Sequence, residues 1–122
     1  MKRLVLLLML AASGCGTTRM HHVITGRPGA AWNGNPMIFM ENQPAPADFD
    51  EVAIIQAVGR GTHADMPHVV GGLQDEAAML GCNAVVRVHI DQGDTIATAT
   101  GVAGRTRESG PAPRALPRAG NE

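Results

Sequence analysis

The chain has 122 residues, 44% of them hydrophobic and 2% aromatic, with ten basic against eleven acidic side chains and a formal net charge of −1. That length allows one small domain with a thin core. The absence of a basic surplus excludes a nucleic-acid binder that works by neutralising phosphates.

At the N-terminus Lys2 and Arg3 precede nine apolar residues, Leu4 to Ala12, and Ser13 and Gly14 then lead into Cys15. A short positive region followed by an apolar run and small residues has the layout of a secretory signal. Nine apolar residues are too few to span a bilayer, which takes roughly 20 in a helix. The run Leu10-Ala-Ala-Ser-Gly-Cys15 resembles the bacterial lipobox. The resemblance implies that residues 1–14 are cleaved and that Cys15 becomes an acylated first residue. Three acyl chains on one residue anchor permanently, whereas a single chain binds only marginally. Gly16 stands where Asp would signal retention, which by resemblance to Gram-negative sorting implies the outer membrane, facing the periplasm. Cleavage would leave eight Arg against eleven acidic residues, a net charge of −3. Cys82 would be the one remaining thiol, so no internal disulfide can form.

Residues 15–35 are rich in Gly and polar side chains and show no sustained period, so they read as a flexible tether. A small domain is expected over 36–104. Within it Met37 to Met40 and the Val- and Ile-rich run Glu51 to Gly59 read as strands, separated by a loop containing Pro44 and Pro46. Val69, Val70, Leu73, Ala77 and Leu80 recur at helical spacing, which predicts a helix from about Met66 to Leu80, with Asp65 as N-cap and Gly81 as a left-handed C-cap. Gly71-Gly72 weakens its first half by about 1 kcal/mol per Gly relative to Ala, so either packing holds that half or the helix begins near Gly72. In Ala84 to Asp91 the residues Ala84, Val86, Val88 and Ile90 alternate with Val85, Arg87, His89 and Asp91. One face of that strand is expected to be buried and the other wet. A turn at Gln92-Gly93 leads to a partner strand from Thr95. The order β-β-α-β-β predicts an α+β fold: an antiparallel or mixed sheet of about four strands with one helix packed on a face. Residues 105–122, with Pro111, Pro113 and Pro117, read as a disordered tail.

The segment Glu76-Ala77-Ala78-Met-Leu80-Gly81-Cys-Asn83-Ala84-Val85-Val86, followed by a hairpin that closes on Gly101-Val-Ala103, resembles the YbjQ-like and RcsF-like group of small envelope and cytoplasmic domains. The resemblance covers roughly residues 52–104. It implies the α+β fold and, from the lipoprotein members, envelope sensing; some members carry a suggested heavy-metal-binding label. The motif also has a purely physical reading. Ala77 and Ala78 let a helix lie close to a sheet, Gly81 ends it, and Asn83 bonds backbone at the corner before the next strand.

No nucleophilic constellation is visible: beyond residue 14 the one serine is Ser109, and Cys82 follows a helix C-terminus among apolar neighbours, where thiolate is disfavoured. His63, Asp65 and His68 place two imidazoles and a carboxylate within six residues, a candidate three-ligand site for Zn or Cu. Met20-His21-His22 is a weaker soft-metal candidate, and Asp48, Asp50 and Glu51 read as a solvated acidic loop. His89 is expected on a wet strand face. The expected protein is a non-enzymatic, lipid-anchored envelope lipoprotein without a cofactor. Its domain binds an envelope partner or itself, and nucleic acid is not a partner; the alternative is a periplasmic metal-binding module.

Overall fold

The computed structural model describes residues 16–107; the expected signal segment 1–14, Cys15 and residues 108–122 of the expected tail lie outside them. Among the described residues five strands and one α-helix follow in chain order: β1 (Thr17–Ile24), β2 (Met37–Met40), β3 (Asp50–Arg60), α1 (Met66–Met79), β4 (Ala84–Gln92) and β5 (Ile96–Arg105), with a 3-10 turn at Gly61–His63 before α1. They form one mixed sheet of order β1-β3-β5-β4-β2, in which only the β2–β4 pair is parallel. The helix covers one face, so the α+β layer and its single helix are as expected, with five strands in place of about four.

The extra strand corrects the tether. Thr17–Ile24 pairs antiparallel with Ala53–Arg60 along its whole length. Its period of two is masked in the sequence because an edge strand buries little: Thr18, Met20 and His22 turn to the helix side, and only Met20 among them joins the core. The following residues are also docked. The N–H groups of Gly29 and Trp32 donate to the carbonyls of Leu80 (3.0 Å) and Ala78 (2.8 Å). Those carbonyls lie in the last turn of α1, where acceptors have no partner within the helix.

α1 begins at Met66, so packing holds its glycine-containing half. The Asp65 carboxylate accepts the His68 N–H at 3.0 Å and caps the helix. Gly72 faces the sheet at its closest approach: a Cβ there would stand 2.9 Å from the Met20 sulfur and 3.2 Å from the Ala57 methyl. The missing side chain is what lets β1 and β3 reach the helix. At the other end Gly81 takes a left-handed φ of +81°, with Gly81 N–H donating to Ala78 O (3.0 Å) and Cys82 N–H to Ala77 O (2.8 Å). This is a Schellman termination. Val69, Leu73 and Ala77 form the buried stripe, packed with Ala53, Ile55, Ala57, Val85, Val88, Ala97, Ala99 and Ala103. So many alanines on the facing strands bring the helix axis close to the sheet.

The strict alternation expected in β4 is corrected. The β4–β5 register shifts between Val86 and His89, and Arg87 there has a φ of 55°. This bulge puts both Val85 and Val88 on the helix side. Val86 turns to the reverse face, where it lines a cavity of about 210 Å³ with Pro46, Phe49 and Val102 from the 41–49 loop and β5. The loop thus covers part of the reverse face as it carries the chain from the β2 edge to β3; Val85, expected among the wet residues, is in the core, and Val86 is buried on the opposite face from Val88, with which it was expected to share one.

Candidate functional site

Three places collect the polar side chains that the sequence singles out. The first is the helix entry. His63 and His68 stack with ring centroids 4.1 Å apart and planes 15° from parallel. Nδ1 of His63 is 2.7 Å from the Thr18 hydroxyl, and Nδ1 of His68 is 2.6 Å from the Asp65 carboxylate that also caps the helix. The structure therefore does bring His63, Asp65 and His68 together. Imidazole lone pairs lie in the ring plane, and two nearly parallel planes do not meet at a point about 2 Å from both rings, the distance a metal requires. Coordination by both rings needs new rotamers. In Met20-His21-His22 the strand alternation sends His22 to the helix side, where it bonds Glu76, and His21 to the reverse face. The two imidazoles are thereby separated by the sheet.

The second place is a rim on β4. His89 Nδ1 is 2.6 Å from Glu41 and its Nε2 is 3.2 Å from Asp91. The Glu41 bond, with Asp91 second, raises the His89 pKa above its usual value. Glu41 lies 48 residues away in sequence, which is why the pairing has no local signal.

The third place is an open cleft of about 640 Å³ lined by Asp48, Asp50, Asn83, Arg105, Thr106 and Arg107. It forms where the C-terminal end of β5 meets the corner after α1. Asn83 donates from Nδ2 to Thr106 O (2.8 Å) and accepts from Thr106 N–H at Oδ1 (2.9 Å), which extends the β4–β5 pairing with a side chain. Asp48 accepts the Thr106 hydroxyl and, at 2.7 Å, the Arg107 N–H. Arg105 donates from Nη2 to Arg27 O (2.6 Å) and from Nη1 to Gly81 O (3.3 Å). Four segments distant in sequence are locked here: the 25–36 connection, the helix C-terminus, the 41–49 loop and the end of β5. The side chains of Asp48, Asn83, Arg105 and Thr106 are engaged in holding the chain together. Arg105 and Thr106 consequently belong to the folded domain and correct the start of the tail.

The Thr106 hydroxyl, followed by the Arg107 N–H, holds the Asp48 pKa below the usual 3.8. A carboxylate favoured in the folded state stabilises the fold above about pH 4, and the contribution is lost as pH falls through the lowered folded value. Urea midpoints of wild type and Asp48→Asn are expected to differ at neutral pH and to converge as pH falls below the lowered folded value. An unchanged gap below that value would show that the carboxylate's charge is not what the lock uses. His89 contributes in the opposite direction, adding stability at acidic pH that disappears as pH rises through its raised folded value.

Cys82 is fully buried beside this lock, and burial pushes its thiol up to about 11, against a smaller lowering by Arg105. Ala77 is in the core and Ala78 half-buried beneath the 25–36 connection, so the Ala-Ala-x-Leu-Gly-x-Asn segment is a corner packed on both sides. Among the described residues no group of three or more His, Cys, Asp or Glu side chains is arranged to hold a metal ion, and no helix is long and apolar enough to cross a membrane. Comparison with protein-family models, with curated proteins and with solved structures returns no match.

Proposed function

We propose that the protein is a lipid-anchored envelope lipoprotein, acylated on Cys15, whose α+β domain binds another envelope component or a second copy of itself. The observation that carries this reading is the run from Lys2 to Cys15, a charged start, nine apolar residues and small residues ending on a cysteine. The binding role draws on the surface of the domain. Val23 and Ile54 are direct cross-strand partners on the reverse face, and both are exposed, at 63% and 43%. They line a shallow groove with His21, Gln56 and Thr100 beside an edge strand whose outer hydrogen-bonding groups face away from the sheet. The resemblance of Glu76–Val86 to the YbjQ-like and RcsF-like group supports an envelope role in the same direction. Metabolic labelling with a radioactive fatty acid is the test: label is expected on wild type and absent from Cys15→Ala, and an unlabelled wild type or an equally labelled variant would refute acylation at Cys15.

A further inference from the structure

If Cys15 carries the lipid, the position of Gly16 determines how the domain sits on the membrane. The Gly16 N–H donates to the Thr62 hydroxyl at 2.9 Å, and the next residue, Thr17, is already paired with Arg60 in the sheet. Thr18 is fastened to His63. The chain is thus part of the domain from its first described residue. One trans peptide places consecutive Cα atoms about 3.8 Å apart, whereas a flexible 20-residue tether would span roughly 25 Å on average. The headgroup layer on each side of the hydrocarbon core is only some 5–8 Å deep. An acylated residue 15 therefore leaves no room between this end of the domain and the lipid.

The surface at that end suits such a contact. Thr17, Arg60 and Ile96 lie in one row across β1, β3 and β5. Ile96 is 41% exposed on the reverse side of the sheet, and Met66, 49% exposed, opens the helix on the other side. One apolar side chain thus stands on each side of the point where residue 15 joins. The charges nearby are mixed, with Arg60 against Asp65 and Asp94, so nothing favours anionic over zwitterionic lipid. Met79, also exposed, is at the opposite end of α1, and Trp32 lies with it beside the helix C-terminus.

We propose that the end of the domain bearing Gly16, Thr62, Met66 and Ile96 rests in the headgroup layer of the membrane, with Met66 and Ile96 as its apolar contacts and the helix C-terminus pointing away. The inference rests on acylation of Cys15. It reverses the expectation of a domain standing off the bilayer.

The test uses full-length acylated protein in phosphatidylcholine vesicles containing a headgroup spin-labelled lipid. An environment-sensitive fluorophore is attached to Met66→Cys, Ile96→Cys or Met79→Cys in turn; the buried, high-pKa Cys82 does not compete for label. Quenching at positions 66 and 96 is expected to exceed that at 79 at least twofold. Ten Gly/Ser residues inserted between Cys15 and Gly16 should abolish the difference while the protein still floats with the vesicles. Unlabelled wild type supplies a control free of substitution: Trp32, the sole tryptophan, should escape quenching. Floating protein with equal quenching at all three positions, or with Trp32 quenched, overturns the orientation and leaves the anchor standing. Protein that neither floats nor carries acyl mass overturns the anchor itself, and the orientation with it.

Discussion

Leu73→Ala is expected to cost about 2–5 kcal/mol of folding stability, in the upper part of that range. Leu73 and Ile55 are the largest fully buried side chains, and most of their neighbours in the core are Ala or Val. Alanine-lined strands have already let the helix approach the sheet, so the backbone has little further travel with which to close the cavity left by the truncated side chain. A domain of this size has a total stability near the low end of the usual 5–15 kcal/mol, roughly, so the variant should be partly unfolded without denaturant. Urea titration followed by far-UV circular dichroism provides the measurement, with Leu73→Met as a volume-conserving control expected to lose less than about 1.5 kcal/mol. A loss below about 1 kcal/mol for the alanine variant would mean that this stripe of α1 is not the centre of the core.

Asn83→Ala is expected to lose about 2–3 kcal/mol, although the residue is only half-buried. Its amide both donates to and accepts from the backbone of Thr106, and truncation orphans two partly buried main-chain groups in place of one. The replacement Asn83→Asp separates shape from chemistry. It keeps the acceptor for Thr106 N–H but turns a carboxylate oxygen towards Thr106 O, so it should be nearly as damaging as alanine. If the Asn83→Asp variant retains the wild-type urea midpoint, the donor from Asn83 to Thr106 contributes nothing. Because Thr106 also positions Asp48, the Asn83 and Asp48 substitutions should be non-additive, as expected for neighbours in one network.

The fold changes what the proposed acylation of Cys15 would imply. A flexible tether would decouple the domain from a bilayer. Residues 16–32 instead form an edge strand and a docked connection, so the proposed orientation of the domain is a property of the sheet register.

Much of this was legible locally. The Asp65 cap, the Gly81 termination, the 3.6-residue spacing of Val69, Leu73 and Ala77, and the β-rich runs from Met37, Glu51, Ala84 and Thr95 are all set by interactions within a few residues, and each is found within a residue or so of where the sequence placed it. The buried, unreactive setting of Cys82 was readable for the same reason. What failed to show was decided between distant segments. β1 has no amphipathic signal because an edge strand gains its stability from hydrogen bonds to β3, to which side-chain pattern is blind. The bulge at Arg87 is a mismatch of register between β4 and β5 and exists only once they pair. Asn83 was expected to satisfy its own corner, yet it bonds a residue 23 positions away. The histidine, aspartate and histidine of the helix entry come together as written, but whether their rings converge is a matter of rotamers set by Thr18 on another strand. By itself, then, the sequence determined the helix with both its caps and the α+β class, because caps and periodicity are short-range. Only the tertiary structure decided the fifth strand, the lock around Asn83 and the seating of Gly16, because those depend on which backbone groups from remote segments find each other.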